Sequence, residues 1–206
     1  GEAGRRTMND FWDQRYAEPG YKYGTEPNAF VREQECQWPR HSRVLVPGDG
    51  EGRNGVWLAR QGHHVQTVDS SKVGIEKARA LAAQHGVEVD FVLADLAAWT
   101  PVGSWDVLCL CFLHLPASLR VAVHRRLLER VTPGGWIVLE AFHPKQLGRT
   151  SGGPRDVGLL YWLADVRADF SGGVTEVLGS EVEVTLAEGE GHRGPGVVTR
   201  FVARRR

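Results

Sequence analysis

The chain has 206 residues, 42% of them hydrophobic, and its 25 Lys and Arg residues balance 25 Asp and Glu. A net charge of zero excludes the cationic surface of a general nucleic-acid binder, and the apolar content is enough for a substantial core. Three cysteines without paired spacing argue against a disulfide framework and fit a reducing cytoplasm, and no apolar run reaches the ~20 residues that span a bilayer.

The first residues form no apolar signal segment, and Gly1 to Thr7, ahead of the sole methionine Met8, read as an arm outside the fold. "NDFWDQRYA" then predicts a helix with Asn9 as cap and Phe11, Trp12, Arg15 and Tyr16 at helical spacing. A loop rich in Gly, Pro and Tyr follows, and Pro27 and Asn28 open a second helix over 29–37. From here strand and helix alternate. Val44–Val46, "HHVQTVD", "VEVDFVLAD", "WDVLCLCFL" and "WIVLEAF" predict five strands, separated by helices over 53–61, 73–86 and 119–131. This succession predicts a parallel sheet with right-handed crossovers. After Phe142 comes a loop of helix breakers, then a helix near 157–170. "EVEVTLA" and "GVVTRFVARR" predict an antiparallel pair at the sheet edge, joined through Gly189–Gly191. His63 and His64 fall in a helix-to-strand turn and are expected to be exposed, and the terminal Arg204–Arg206 reads as solvated.

Ligands of open α/β sheets sit beyond the carboxyl ends of the strands. There "VLVPGDGEGRN" places Gly48, Gly50 and Gly52 alternately with Asp49 and Glu51. Gly50, Gly52 and Gly55 also match a dinucleotide-type G-x-G-x-x-G, so a nicotinamide- or flavin-dependent oxidoreductase is one reading. Two carboxylates are poor neighbours for a pyrophosphate, however. They suit a nucleoside carrying ammonium and sulfonium groups, which is S-adenosylmethionine. Asp69 ends the second strand, where a carboxylate accepts ribose hydroxyls. Asp95 ends the third, beside the position of an adenine amine, with Leu96 offering a backbone N–H and an apolar wall. A turn or cap is the alternative role for Asp95.

"VLVPGDGEGRN", "VDSS" (Asp69 and Ser70), "LADL", "WDVLCLCFLHLP" and "VTPGGWIVLEAF" fall in the order and spacing of class I S-adenosylmethionine-dependent methyltransferases, which the chain resembles over about 44–142. "FWDQRYAEPGYKYGTEPNAF" and "TSGGPRD" narrow the likeness to small-molecule enzymes similar to the tellurite-resistance methyltransferase and, more distantly, the thiopurine methyltransferases. The resemblance implies one domain with a Rossmann-like, seven-stranded, mostly parallel sheet, helices on both faces and an antiparallel C-terminal edge hairpin. Residues 1–40 would form a helical lid, 41–142 the cofactor core and 143–206 the acceptor side. It implies that Tyr23 contacts the cofactor and Arg15 pairs with its carboxylate. Many members carry an acid where this chain has Val46, so the amine contact passes to Asp49, Glu51 or carbonyls near Cys111.

Methyl transfer from a sulfonium leaves a neutral thioether, so the protein mainly aligns reactants and excludes water. His114 is the candidate base, with satisfaction of turn backbone as its alternative. Tyr21, His143 and Arg155 are candidate acceptor-side residues, and the glycines of "SGGPRD" suggest a mobile lid. Cys109, Cys111 and His114 do not make a credible metal site; small core cysteines are the expected role. The acceptor would be a thiol, a chalcogen or metalloid oxyanion, or another heteroatom of a small molecule, handled by a monomer or homodimer. A methyltransferase-like domain without catalytic activity is the third reading.

Overall fold

A computed structural model describes residues 8–206; the arm expected over Gly1–Thr7 lies outside the described residues. Helices α1 (Met8–Ala17) and α2 (Ala29–Glu35) precede β1 (Arg43–Pro47), α3 (Arg53–Arg60), β2 (His64–Asp69), α4 (Lys72–Gln84), β3 (Asp90–Leu93), β4 (Trp105–Cys111), α5 (Ala117–Leu128) and β5 (Val131–Phe142). Two short 3-10 turns lead to α6 (Leu163–Asp169), and β6 (Val174–Glu188) and β7 (His192–Arg205) close the chain. The seven strands lie in the order β3-β2-β1-β4-β5-β7-β6. The β3-β2-β1-β4-β5 part is parallel, whereas β7 runs antiparallel to both β5 and β6. The Rossmann-like, mostly parallel sheet with an antiparallel edge is therefore the observed fold.

Side chains alternate across the sheet, so each face has its own core. One face gathers Leu45, Leu108, Leu110, Ile137 and Leu139 with Tyr161 and Phe170; Leu96 packs into the same cluster. The other gathers Val44, Val46, Val107, Cys109, Cys111 and Val138 under Phe30 and Trp38. Cys109 and Cys111 are thus core residues of a strand buried on both sides.

Several local expectations change. β6 starts seven residues before "EVEVTLA", because an edge strand with one solvent face tolerates the Glu and Gly residues of "VTEVLGS". The predicted helix over 157–170 keeps only its second half. His63 is buried, not exposed: its Nδ1 accepts the Ser42 N–H at 3.1 Å and its Nε2 lies 2.9 Å from Glu35 Oε1.

Candidate active site

The strand order reverses between β1 and β4, where an open sheet forms its ligand crevice. The loop after β1 turns there through Gly48, Gly50 and Gly52, all at positive φ. At Gly50 a Cβ would collide with the Tyr16 hydroxyl of α1, so helix and loop are in direct contact. Asp69 fixes the loop to β2. Its Oδ2 accepts the Gly50 N–H and its Oδ1 the Ser71 N–H, at 2.8 and 2.9 Å, and the Ser70 amide points at the same carboxylate. Burial raises the Asp69 pKa against these bonds.

Asp49 and Glu51 divide the labour assigned to both. Asp49 accepts the Gly55 N–H at 2.8 Å through Oδ2, while its buried Oδ1 has no partner among the described residues. Burial pushes its carboxyl up to about 7. Glu51 is occupied: Oε1 accepts the Lys22 N–H at 2.8 Å and Oε2 pairs with Lys77 Nζ at 2.9 Å. It ties the loop after α1 to α4, with a protein partner at each of its carboxylate oxygens. Tyr21 belongs to the same tether, donating to the Lys77 carbonyl at 3.1 Å.

The acceptor-side assignments shift further. The His114 ring is held at both nitrogens: Nδ1 lies 2.6 Å from the Leu159 carbonyl oxygen, and Nε2 receives the Phe142 N–H at 3.3 Å. Nδ1 therefore carries the proton, and burial lowers the pKa to about 4. His114 satisfies turn backbone and is not a free base. His143 is a buried cap, with Nδ1 accepting the Lys145 N–H and Nε2 2.5 Å from Glu181. Arg155 is exposed. The glycines of "SGGPRD" serve close approach: a Cβ on Gly152 would stand 2.6 Å from His192 Cδ2, and one on Gly153 2.7 Å from Phe142. Asp95 accepts the Ala97 N–H at 2.9 Å, the turn role, and is otherwise exposed.

Arg15 and Tyr23 come together, the guanidinium donating to the phenol oxygen, and the buried Arg15 Nε has no partner among the described residues. The Tyr23 ring centroid is 4.4 Å from that of His192. His192 opens β7 and meets Phe112 and Phe142 nearly edge-on, at 4.6 and 5.1 Å between centroids. Phe112 itself has φ +50°, a strained value for an aromatic residue, at the carboxyl end of β4.

Beneath this lies a buried polar network. Asn28 Nδ2 donates to Glu140 and Glu188, both at 3.0 Å, and the Asn28 N–H donates to Asn54 Oδ1 at 2.8 Å. Arg200 Nε reaches Glu140 at 2.6 Å and Arg53 reaches Glu188 at 2.5 Å. Of these residues the sequence flagged Asn28 alone, as a helix opener. Glu140 carried a readable signal, a lone carboxylate inside a buried strand, which demands partners. His192 carried none, since only the hairpin brings it over the crevice.

A family described as a methyltransferase domain matches residues 44–135, the stretch from β1 into the start of β5. Over this stretch the chain is similar to the class I S-adenosylmethionine-dependent methyltransferases. A 2-heptyl-1-hydroxyquinolin-4(1H)-one methyltransferase of Mycobacteroides abscessus is 25% identical over 165 residues, covering 74% of this chain and 72% of its own. A thiopurine S-methyltransferase of Vibrio cholerae is 28% identical over 149 residues, covering 63% and 68%. Among solved structures, TehB from Haemophilus influenzae superposes with a TM-score of 0.72 at 16% identity, over 96% of this chain and 67% of that one. The protein is thus an enzyme, its cofactor is S-adenosylmethionine, and the oxidoreductase and non-catalytic readings fall away.

The methyltransferase's own side chains fit that cofactor. The glycine loop offers bare backbone, Asp49 Oδ1 an unmatched acceptor for an ammonium, and Arg15 Nε an unmatched donor for a carboxylate. Among the described residues, no helix is long and apolar enough to cross a membrane.

Proposed function

We propose that the enzyme methylates sulfur or oxygen on a small planar acceptor. The cluster of rings at the carboxyl ends of β4 and β5 carries this reading: Phe112 and Phe142 stack at 4.7 Å, His114 stacks on Phe142 at 5.7 Å, and Phe112 accepts a positive φ to be there. Aromatic faces prefer flat, polarisable partners. The two relatives act, by their names, on a hydroxyquinolone and on thiopurines, and both are planar heteroaromatics.

S-adenosylmethionine supplies an electrophilic methyl group on a sulfonium. The chain's residues hold and align. Asp69 would take the ribose hydroxyls through lone pairs left after its backbone bonds. Asp49 would take the amine and Arg15, with Tyr23, the carboxylate. Gly48, Gly50, Gly52, Ser70, Leu96 and Cys111 would border the nucleoside or its tail. With both His114 nitrogens engaged, the protein contributes positioning and water exclusion rather than a base at that residue. This reading treats the chain as one unit: 1–40 as cover, 41–142 as cofactor core and 143–206 as acceptor side. The three free cysteines support a cytoplasmic setting.

The test is product detection by mass spectrometry with aryl thiols, hydroxy-heteroaromatics, aliphatic amines, selenite and tellurite. Turnover of the first two groups is expected. Turnover confined to the oxyanions or amines would overturn the planar acceptor.

A further inference from the structure

His192 has no part in the assignments above, yet its place is specific. It is 4% exposed, and its Nδ1 is buried with no partner among the described residues. Rings from three other segments hold the imidazole: Tyr23 before α2, Phe112 after β4 and Phe142 at the end of β5. Gly152 and the hairpin glycine Gly191 leave room for it, since a Cβ on Gly152 would touch the imidazole and one on Gly191 would strike Tyr23. A buried ring nitrogen without a partner costs on the order of 1–3 kcal/mol, so a fold built around one points to an occupant from outside the chain.

The surroundings set the charge of that occupant. The charges of Arg53 from α3, His114 from the loop after β4 and Arg15 from α1 act on His192, and the Tyr23 ring packs beside it. Arg53 shares its charge with Glu188 on the same hairpin, and Arg15 is bonded to the neutral Tyr23. The three groups that act on the imidazole charge are therefore cationic or neutral.

Resting on the methyl-transfer reading above, we propose that His192 seats the acceptor heteroatom, which arrives already ionised as an aryl thiolate or aryl oxide, and that Nδ1–H donates a hydrogen bond to it. The anion's lone pair forms the new bond to carbon as the sulfonium's carbon–sulfur bond breaks onto sulfur. Both charges vanish, so no proton needs a destination. The imidazole stays neutral throughout: burial, Arg53, His114 and Arg15 all hold its pKa far below the usual histidine value. His192 serves as a fixed donor, not a proton acceptor.

The experiment uses 4-nitrothiophenol and 4-nitrophenol, whose anions have their own absorption bands, titrated into full-length enzyme saturated with S-adenosylhomocysteine. The wild type is expected to bind each as the anion at pH values a unit below its free pKa. His192→Phe keeps the ring packing and removes the nitrogen; it should weaken this binding about tenfold or more and raise KM for methylation far more than it lowers kcat. His192→Asn, which retains an N–H near the Nδ1 position, should recover most of the loss. Cofactor affinity by calorimetry and the melting temperature report folding of each variant. Across thiophenols of graded acidity, the midpoint of kcat/KM against pH should follow the acceptor's pKa in wild type and variants. Binding as the neutral form, equal binding by His192→Phe, or a midpoint independent of the acceptor would each overturn the role of His192 while leaving aryl methylation standing. Absence of both binding and methylation across the panel would overturn the acceptor class together with the proposal.

Discussion

Arg53 on α3 and Glu188 at the end of β6 form a buried ion pair 2.5 Å long, across 135 positions of sequence. Asn28 binds the same carboxylate, so the hairpin, the glycine-loop helix and the start of α2 meet at one side chain. Removing one partner of a buried pair leaves an uncompensated charge and costs roughly 3–5 kcal/mol. Glu188→Ala is therefore expected to destabilise the protein by about 3 kcal/mol and to weaken cofactor binding, since Arg53, whose guanidinium lies over the Tyr23 ring, loses its partner. Chemical denaturation and calorimetry measure the two effects; a stable variant with normal affinity would show that the pair does not organise the site.

Arg15 offers a cleaner separation, because its proposed partner is one part of the ligand. A charge-assisted hydrogen bond to a carboxylate is worth roughly 1.5–3 kcal/mol. Arg15→Ala should weaken S-adenosylhomocysteine binding at least tenfold and leave methylthioadenosine, which lacks the amino-acid end, unchanged. Equal losses for both ligands would place Arg15 against the nucleoside or in packing alone.

For Asp49 the lever is pH. Burial holds the free carboxyl at about 7, so below that pH the acid is mostly protonated and the ammonium must displace a proton to bind. Affinity for S-adenosylhomocysteine should be flat above about pH 7 and fall towards tenfold per unit below it. Asp49→Asn should bind more weakly at pH 7.5 and lose the slope. Calorimetry at pH 6 in buffers of different ionisation enthalpy should show proton release in the wild type only. Release of no proton would mean that Asp49 supports the loop through Gly55 without meeting the amine.

The parallel core was legible because burial on both faces writes continuous apolar runs such as "WDVLCLCFL", and the first three strands run into Gly48, Asp69 and Asp95. The glycine loop and Asp69 followed from position alone. What could not be read was how polar side chains distribute themselves once the chain closes. Glu51 looked equivalent to Asp49 in sequence, but Lys22 and Lys77 claim it in space. His114 sits next to the crevice, as expected, yet backbone from Leu159 and Phe142 takes both nitrogens. His192 lies 78 positions from His114 by number and enters only through the β6–β7 hairpin, a contact to which no local pattern points.

The neutral histidines also shape acid stability. His114 is held near 4 and His192 lower still, whereas an unfolded histidine titrates near 6.5. Between those values the unfolded chain binds protons that the native state refuses, so their contribution to stability is present above about pH 6.5 and is lost as pH falls. Asp49, Asp69 and Glu140 act in the opposite sense, because burial raises their pKa values and the native state gains protons first. The wild-type curve alone therefore mixes both signs, and the difference between two proteins isolates one group. Taking His192→Phe as the partner, the loss of stability between pH 6.5 and 4.5 should be smaller in the variant by at most about 2.7 kcal/mol, from 1.36 kcal/mol per pKa unit. Urea unfolding at the two pH values gives the difference; identical losses in both proteins would mean that His192 takes up its proton in the folded state.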